Sequence, residues 1–355
     1  MNIAFIDPAR AYAADAPYGG SLGGTQSAVC YLAAALAKLG HSVTLYNHIA
    51  QAHEALGVTA RPWTDIFDGR AAQCGALVIV GRWTAEMIAE LRKSNKPVIG
   101  WMHEAAFDRD WIVPDQNLAG IVFVSDWQRR VNAVDLPAGM LAQVIRNGIS
   151  PFAEGLARDP QLMHRKNPHR VVFAGDAVRG LIPLVEIWPQ LQAQDTRLTL
   201  EVYSDPDLKG VAPDVAANFR ARLSTLPGLA HVGKVGQPQL AEAMAGAMWH
   251  VSPNPYPETS CIVLLEALAL GCRSVVTARA ALPESAHGFA TLVPVADADN
   301  HRTNHVPVDV AAFVQAFIAA QSTPHDPAAQ QAHFLDQHTW TGKAAEWVKL
   351  LQDVI

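Results

Sequence analysis

The sequence is short of charge, of cysteine and of long apolar runs. Only 17% of its 355 residues are charged and the net charge is −6. A dedicated nucleic-acid binder carries a basic face, so no nucleic acid is expected as a partner. The four cysteines (Cys30, Cys74, Cys261, Cys272) form no CxxC pair. They read as reduced, buried thiols rather than a disulfide framework or a metal knuckle. No apolar run approaches the ~18–20 residues that a spanning helix needs. Strand-like Ile3-Ala-Phe-Ile6 follows the start directly, with no signal-peptide pattern. These absences make a soluble, cytoplasmic protein the expectation. Internal repeats and low-complexity tracts are also missing.

What is present is apolar sequence in short pieces. Half of the residues are hydrophobic, enough for a large core, and the length suggests two domains. Apolar runs occur at 3–6, 43–46, 77–80, 98–101, 121–124 and 144–145, then at 171–174, 198–203, 231–232, 248–251, 274–277 and 292–293. They are continuous rather than alternating, as in parallel strands buried on both faces. Amphipathic stretches such as 25–39 and 84–94 lie between them. The fold class is therefore α/β, with two doubly wound domains. We divide the chain into residues 1–150, a linker over 151–170, a second domain over 171–330 and a C-terminal segment over 331–355. Three prolines and the basic cluster His164-Arg165-Lys166…His169-Arg170 mark the linker as a solvated loop, with contact to an anionic membrane surface as its alternative reading.

One charge is out of place. Glu266 sits in the run Cys261-Ile-Val-Leu-Leu-Glu266-Ala-Leu-Ala-Leu270, which reads as a helix that is apolar all round. A carboxylate inside the protein is costly without a partner. An internal arginine could be that partner, or a polar ligand could be. A second acid, Glu258, stands at the mouth of the helix. Thr259 or Ser260 can cap it, and the N–H groups of Ser260, Cys261 and Ile262 can then receive an anion. Glu266 would lie about 9 Å further along, at ~1.5 Å per residue.

Other residues fit an anionic ligand. Tyr18-Gly-Gly-Ser-Leu-Gly-Gly-Thr-Gln26 precedes the first long helix, and Gly23 and Gly24 would let a backbone approach a phosphate. Thr25 stands where a Walker loop needs Lys, and the glycine spacing is wrong for a dinucleotide fingerprint. Arg179-Gly180 opens another helix, where a cation makes sense if an anion sits beside it. His103 ends a first-half strand. Trp101, Trp111 and Trp127 read as core before they read as sugar platforms. Asp205-Pro-Asp207 reads as a turn rather than a metal site.

Taken together, the segment from Glu258 through Glu266 to Gly271, then Val275-Val-Thr277 and Leu282-Pro-Glu284, resembles the retaining glycosyltransferases of family four, the glycosyl transferases group one. The Gly-Gly-Thr loop, Val124-Ser125, Val144-Ile-Arg-Asn-Gly148 and Arg179-Gly-Leu181 extend the resemblance over nearly the whole chain. It implies a GT-B fold, two Rossmann-like domains facing a cleft. It also implies metal-independent transfer, with no cofactor, from a nucleotide-diphospho-sugar (UDP or GDP) to a saccharide or lipid-linked acceptor in bacterial surface glycan synthesis. By position, Glu266 would bind the ribose, Glu258 the donor sugar, and Thr259, Ser260, Cys261 and Ile262 the diphosphate. Arg179 replaces the family's Lys-Gly cation, Gly23 and Gly24 approach the phosphate, and His103 touches the sugar. The C-terminal helix would cross back onto the first domain. The family's second phosphate-binding Arg is missing, and Lys234 is the candidate to replace it. Thr-Ser-Cys stands for the usual Gly-Phe-Gly, and Arg273 for a Pro. The rival readings are a nucleotide-sugar epimerase or hydrolase of the same fold, or a non-catalytic nucleotide- or sugar-binding protein.

Overall fold

The computed structural model of the chain describes residues 1–105, 118–132, 136, 137, 139–204 and 212–354. Trp111, Asp205 and Asp207 lie outside the described residues. The chain forms two compact units, one of residues 1–148 with 338–355 and one of residues 149–337.

The first unit is built on an eight-stranded sheet. In chain order its strands are β1 (Asn2–Ile6), β2 (Ser42–Asn47), β3 (His53–Ala55), β4 (Val58–Pro62), β5 (Ala76–Val80), β6 (Val98–Met102), β7 (Gly120–Phe123) and β8 (Leu141–Val144). The spatial order is β3-β4-β2-β1-β5-β6-β7-β8, and only β3 runs antiparallel to its neighbour. β5 and β6 are buried along their whole length, which is why they read as unbroken apolar runs. The edge hairpin β3–β4 is short and polar, and it turns at Leu56 and Gly57, both at positive φ. Its sequence carries little apolar signal.

The C-terminal helix Trp340–Val354 belongs to this unit and packs on the helix Gly24–Lys38. Its apolar face supplies Trp347, whose ring lies 5.0 Å from that of Trp101 and 6.4 Å from that of Phe5. Trp101 and Trp127 are thus core residues.

The second unit carries six strands, all parallel: β9 (Asn167–Ala174), β10 (Thr199–Tyr203), β11 (Leu229–His231), β12 (Ala247–Ser252), β13 (Arg273–Thr277) and β14 (Ala290–Val293). Their order is β11-β10-β9-β12-β13-β14. The chain leaves β9 toward β10 on one side and β12 toward β13 on the other. Neighbouring β9 and β12 therefore form a topological switch point, where the loops at the strands' carboxyl ends diverge and leave room for a ligand. Separate apolar clusters fill the two faces of the sheet, one around Leu264, Leu265 and Leu268, the other around Phe173, Trp188 and Phe317.

Residues 151–170 are not a linker. Ser150 caps a helix, Pro151–Ala157, its hydroxyl accepting from the Ala153 amide at 3.2 Å. Proline at the first helical position starts the helix rather than breaking the fold. Ala153, Ala157 and Leu162 enter the second unit's core. The basic cluster is solvated only in part, with His164 and Arg165 exposed. Lys166 is buried, and its ammonium donates to the carbonyls of Met244 at 2.8 Å and Ala247 at 2.7 Å and to Cys272 Sγ at 3.2 Å. Arg165 pairs with Glu242, and Arg170 with Glu201. Among the described residues, no helix is long and apolar enough to cross a membrane.

Candidate functional site

The strongest assembly of polar side chains lies at the β9–β12 switch point. After β9 the chain makes a short 3-10 turn, Ala177–Arg179, whose start is capped by Asp176 Oδ1 accepting from the Val178 amide at 3.2 Å. Gly180 follows at φ 133°, and a Cβ there would come within 3.1 Å of Phe173. Glycine is needed on both counts, and the turn delivers Arg179 before the helix Leu181–Gln194 begins.

After β12 the loop Pro253–Glu258 brings Glu258 to the same place. Arg179 Nη1 donates to Oε1 of Glu258 at 3.2 Å and to Oε2 at 3.3 Å. Asn254 Nδ2 also donates to Oε1, at 3.0 Å. The guanidinium lies over the Tyr256 ring, 4.3 Å from its centroid. The Glu258 charge, with smaller contributions from Tyr256 and Asp176, holds Arg179 even more firmly protonated than usual. Its side chain is nonetheless 42% exposed, so water screens the pair. One nitrogen serves both oxygens, which is weaker than the two-pronged fork that Arg can make.

The loop continues past Glu258, whose carbonyl is held by the Ala281 amide at 3.0 Å. The following helix is Ile262–Ala269, and its first hydrogen bond runs from Leu265 N to the Cys261 carbonyl at 3.1 Å. The cap is thus Cys261, not Thr259 or Ser260, and no side chain fills the capping role. The anchoring of Glu258 to Ala281 keeps the chain out of helical conformation until Cys261. The amides of Ile262 and its successors head the helix, where intrahelical partners are lacking in any helix. Burial, with Glu258 next, pushes the Cys261 thiol up to about 12, so it is a protonated and inert group.

Glu266 is 2% exposed, in the second turn of that helix. No arginine meets it among the described residues. Its Oε1 accepts from the Ser150 amide at 2.8 Å. Burial pushes its carboxyl up, and the bonding at Ser150 opposes this without cancelling it. The helix ends at Gly271, at φ 74°, where a Cβ would meet Met163 Sδ at 2.9 Å.

Two supporting residues carry no clear mark in the sequence. Asn254, wedged between Pro253 and Pro255, is one. Arg279 is fully buried and donates to the carbonyls of Ala298 at 3.0 Å, Asn300 at 2.6 Å and Thr303 at 3.1 Å, and to that of Asp297. It folds this segment back so that the Val306 amide reaches the Pro255 carbonyl at 3.2 Å and His305 Nε2 reaches the Val178 carbonyl at 3.2 Å. Both loops of the switch point are braced this way. The isolated cation in Val275-Val-Thr-Ala-Arg279-Ala was the available signal. Arg273, at the amino end of β13, serves the packing of the unit and not the switch point. It donates to the carbonyls of Ala320 and Thr323 at the end of the helix Val310–Ser322 and lies over Trp249. Lys234 is exposed, in the loop after β11 on the same edge of the sheet.

The remaining candidates lie in the first unit. Gly23 caps and Gly24 opens the helix Gly24–Lys38, and a Cβ on Gly23 would come within 2.9 Å of Gln26 Oε1. Buried Asp7 stands at the end of β1 and receives Tyr12 Oη at 2.6 Å and Gln26 Nε2 at 3.0 Å. This network anchors the glycine loop. His103 follows β6 with its ring 4.5 Å from that of Trp101. Burial drives its pKa down to about 3, so the imidazole is neutral near pH 7.

Residues 168–319 match the family profile described as glycosyl transferases group 1. Among solved structures, a sucrose-phosphate synthase from Thermosynechococcus elongatus is similar with a TM-score of 0.70 at 16% identity, over 100% of this chain and 99% of that one. AviGT4, a glycosyltransferase involved in avilamycin A biosynthesis, gives 0.70 at 16% identity, over 100% and 98%. Anabaena HepE in complex with UDP and glucose gives 0.69 at 14% identity, over 99% of each chain. No curated protein matches the sequence. The fold is that of the GT-B glycosyltransferases. The profile match spans less than half of the chain, and these neighbours are similar to it in fold.

Proposed function

We propose that the chain is a retaining glycosyltransferase of the family-four type. It moves a sugar from a nucleotide-diphospho-sugar, UDP- or GDP-linked, to a saccharide or lipid-linked saccharide, in bacterial surface glycan synthesis. The observation that carries the reading is the meeting of Arg179 and Glu258 at the β9–β12 switch point, at the head of the helix that buries Glu266. An anion-binding cation, a sugar-facing acid and a ribose-facing acid follow one another along a single edge of the sheet.

In this mechanism Arg179 and the amides at the head of the helix Ile262–Ala269 take up charge as the diphosphate departs, preorganised and at no cost in solvent rearrangement. Thr259, Ser260, Cys261 and Ile262 line that end, and Lys234 supplies a second cation. The acceptor hydroxyl attacks the anomeric carbon from the face the diphosphate leaves, and its proton passes to a departing phosphate oxygen. Glu258 orients the sugar by accepting from its hydroxyls. Glu266 accepts from the ribose. These residues take the leaving-group charge themselves, so we propose that no metal is needed. The first unit's Gly23, Gly24 and neutral His103 are proposed ligand-binding positions on the same resemblance.

The test is product analysis with the sugars of the tightest-binding nucleotide and a panel of saccharide and lipid-linked acceptors, in the presence of a chelator. Acceptor-dependent release of nucleoside diphosphate, with the donor's anomeric configuration kept in the product, is the expected result. Equal turnover without acceptor would favour an epimerase or hydrolase. An inverted product, or loss of transfer in the chelator, would overturn the retaining or the metal-independent part.

A further inference from the structure

The polar contacts around Glu258 are divided unequally between its two oxygens. Oε1 receives both Asn254 Nδ2, at 3.0 Å, and Arg179 Nη1, at 3.2 Å. Oε2 receives only Arg179 among the described residues, at 3.3 Å. The two donors also differ in how firmly they are held. Asn254 is 2% exposed, and both polar atoms of its side chain are hydrogen-bonded. Its Oδ1 accepts from the Tyr256 amide at 2.9 Å, and its carbonyl accepts from the hydroxyl of fully buried Thr277 at 2.7 Å. Arg179, by contrast, is half in solvent, shares one nitrogen between two oxygens and lies on the Tyr256 ring. A phosphate is a better partner for a guanidinium than a single shared contact, because it accepts from two of its nitrogens at once.

We propose that Glu258 and an incoming diphosphate compete for Arg179, and that Asn254 is the positioning residue that keeps Glu258 in place when Arg179 is drawn away. This rests on the reading that Arg179 takes the anionic end of the ligand. When the guanidinium turns to the anion, Oε2 loses its partner and becomes the oxygen that accepts from a sugar hydroxyl. Oε1 stays on Asn254, so the carboxylate does not swing. The site thus keeps its acid paired with Arg179 until an anion arrives, and the same event that binds the anion exposes the acceptor oxygen.

Inorganic pyrophosphate tests this without knowledge of the sugar or the base. It is titrated calorimetrically, at fixed ionic strength, into the full-length protein and its variants. Arg179→Gln is expected to bind it at least about tenfold more weakly, the loss of a charge-assisted contact. Glu258→Gln keeps the side chain's shape and removes the internal competitor, so pyrophosphate should bind about threefold to tenfold more tightly. Asn254→Ala leaves Glu258 with Arg179 as its sole partner, so it should weaken binding about threefold, and the effect should vanish in the Glu258→Gln background. A merely structural role for Asn254 would weaken binding equally in both backgrounds. Should Asn254→Ala fail to fold, Thr277→Val removes the hydroxyl that holds the Asn254 backbone carbonyl, loosens the residue that positions Glu258, and is expected to show the same dependence on Glu258.

If pyrophosphate does not bind, or binds indifferently to Arg179, the assignment of Arg179 to the anion fails and the exchange fails with it. If Arg179→Gln weakens binding but Glu258→Gln does not tighten it, the exchange alone is overturned. Equal effects of Asn254→Ala in the two backgrounds overturn the positioning role.

Discussion

Replacing Glu266 by Gln keeps the shape of a fully enclosed side chain and removes its ability to ionise. The acceptor oxygen facing the Ser150 amide remains, so the hydrogen bond at 2.8 Å survives in weaker form, a change worth about 1 kcal/mol or less. The larger effect follows pH. Burial raises the folded carboxyl's pKa, with the Ser150 bonding opposing it. In the unfolded chain a glutamate titrates near ~4.3. Below that pH both states are protonated, and wild type and variant differ only by the hydrogen bond. Above it the unfolded chain releases its proton first, and the wild type loses about 1.4 kcal/mol of stability per pH unit until the folded carboxyl ionises too. Glu266→Gln should therefore be the more stable protein at pH 8. Its advantage should widen between about pH 4.3 and the folded midpoint and then level off. Urea unfolding of both proteins across pH 4.5–8 measures this, and taking the difference cancels the other titrating groups. A gap independent of pH would refute the reasoning, as would a wild type that gains on the variant as pH rises.

Further outcomes are expected elsewhere. Glu258→Ala should lower turnover at least about a hundredfold without weakening nucleoside diphosphate binding, because its proposed contacts are to the sugar and its removal frees Arg179 for the anion; steady-state kinetics with calorimetry on the same preparation checks it, and weaker nucleotide binding would contradict it. Lys166→Met removes the donor to the Met244 and Ala247 carbonyls and leaves them a weak thiol, so urea unfolding should show a loss of about 2–3 kcal/mol, and a neutral result would restore Lys166 to the surface. Trp347→Ala empties a fully buried site against Trp101 and Phe5 and should cost about 3–5 kcal/mol in the first unit, measured the same way; a cost below about 1 kcal/mol would mean that the C-terminal helix is not part of that core.

The central strands of both sheets were legible because parallel strands buried on both faces leave continuous apolar runs, and each expected run overlaps a strand. The hairpin β3–β4 was not, since its few residues are half polar and sit at an edge. Residues 151–170 misled because prolines mark helix starts as readily as breaks, and because a charge run says nothing of carbonyls waiting at distant positions for Lys166. Glu266 was conspicuous as a lone charge, but its partner is a backbone amide 116 residues away, which no local pattern reveals. The cap at Cys261 was hidden for a similar reason, a tertiary contact of Glu258 with Ala281. Asn254 and Arg279 act through loop carbonyls and carboxylates that only the folded chain brings near.

Calorimetric titration of UDP, GDP, ADP and CMP into the wild type and Glu266→Ala tests the proposed nucleotide site most directly. One nucleoside diphosphate is expected to bind the wild type with a Kd below about 100 µM, and Glu266→Ala at least about tenfold more weakly, through the loss of hydrogen bonds to the ribose. Absence of binding by any of the diphosphates, or equal binding to the two proteins, would contradict it.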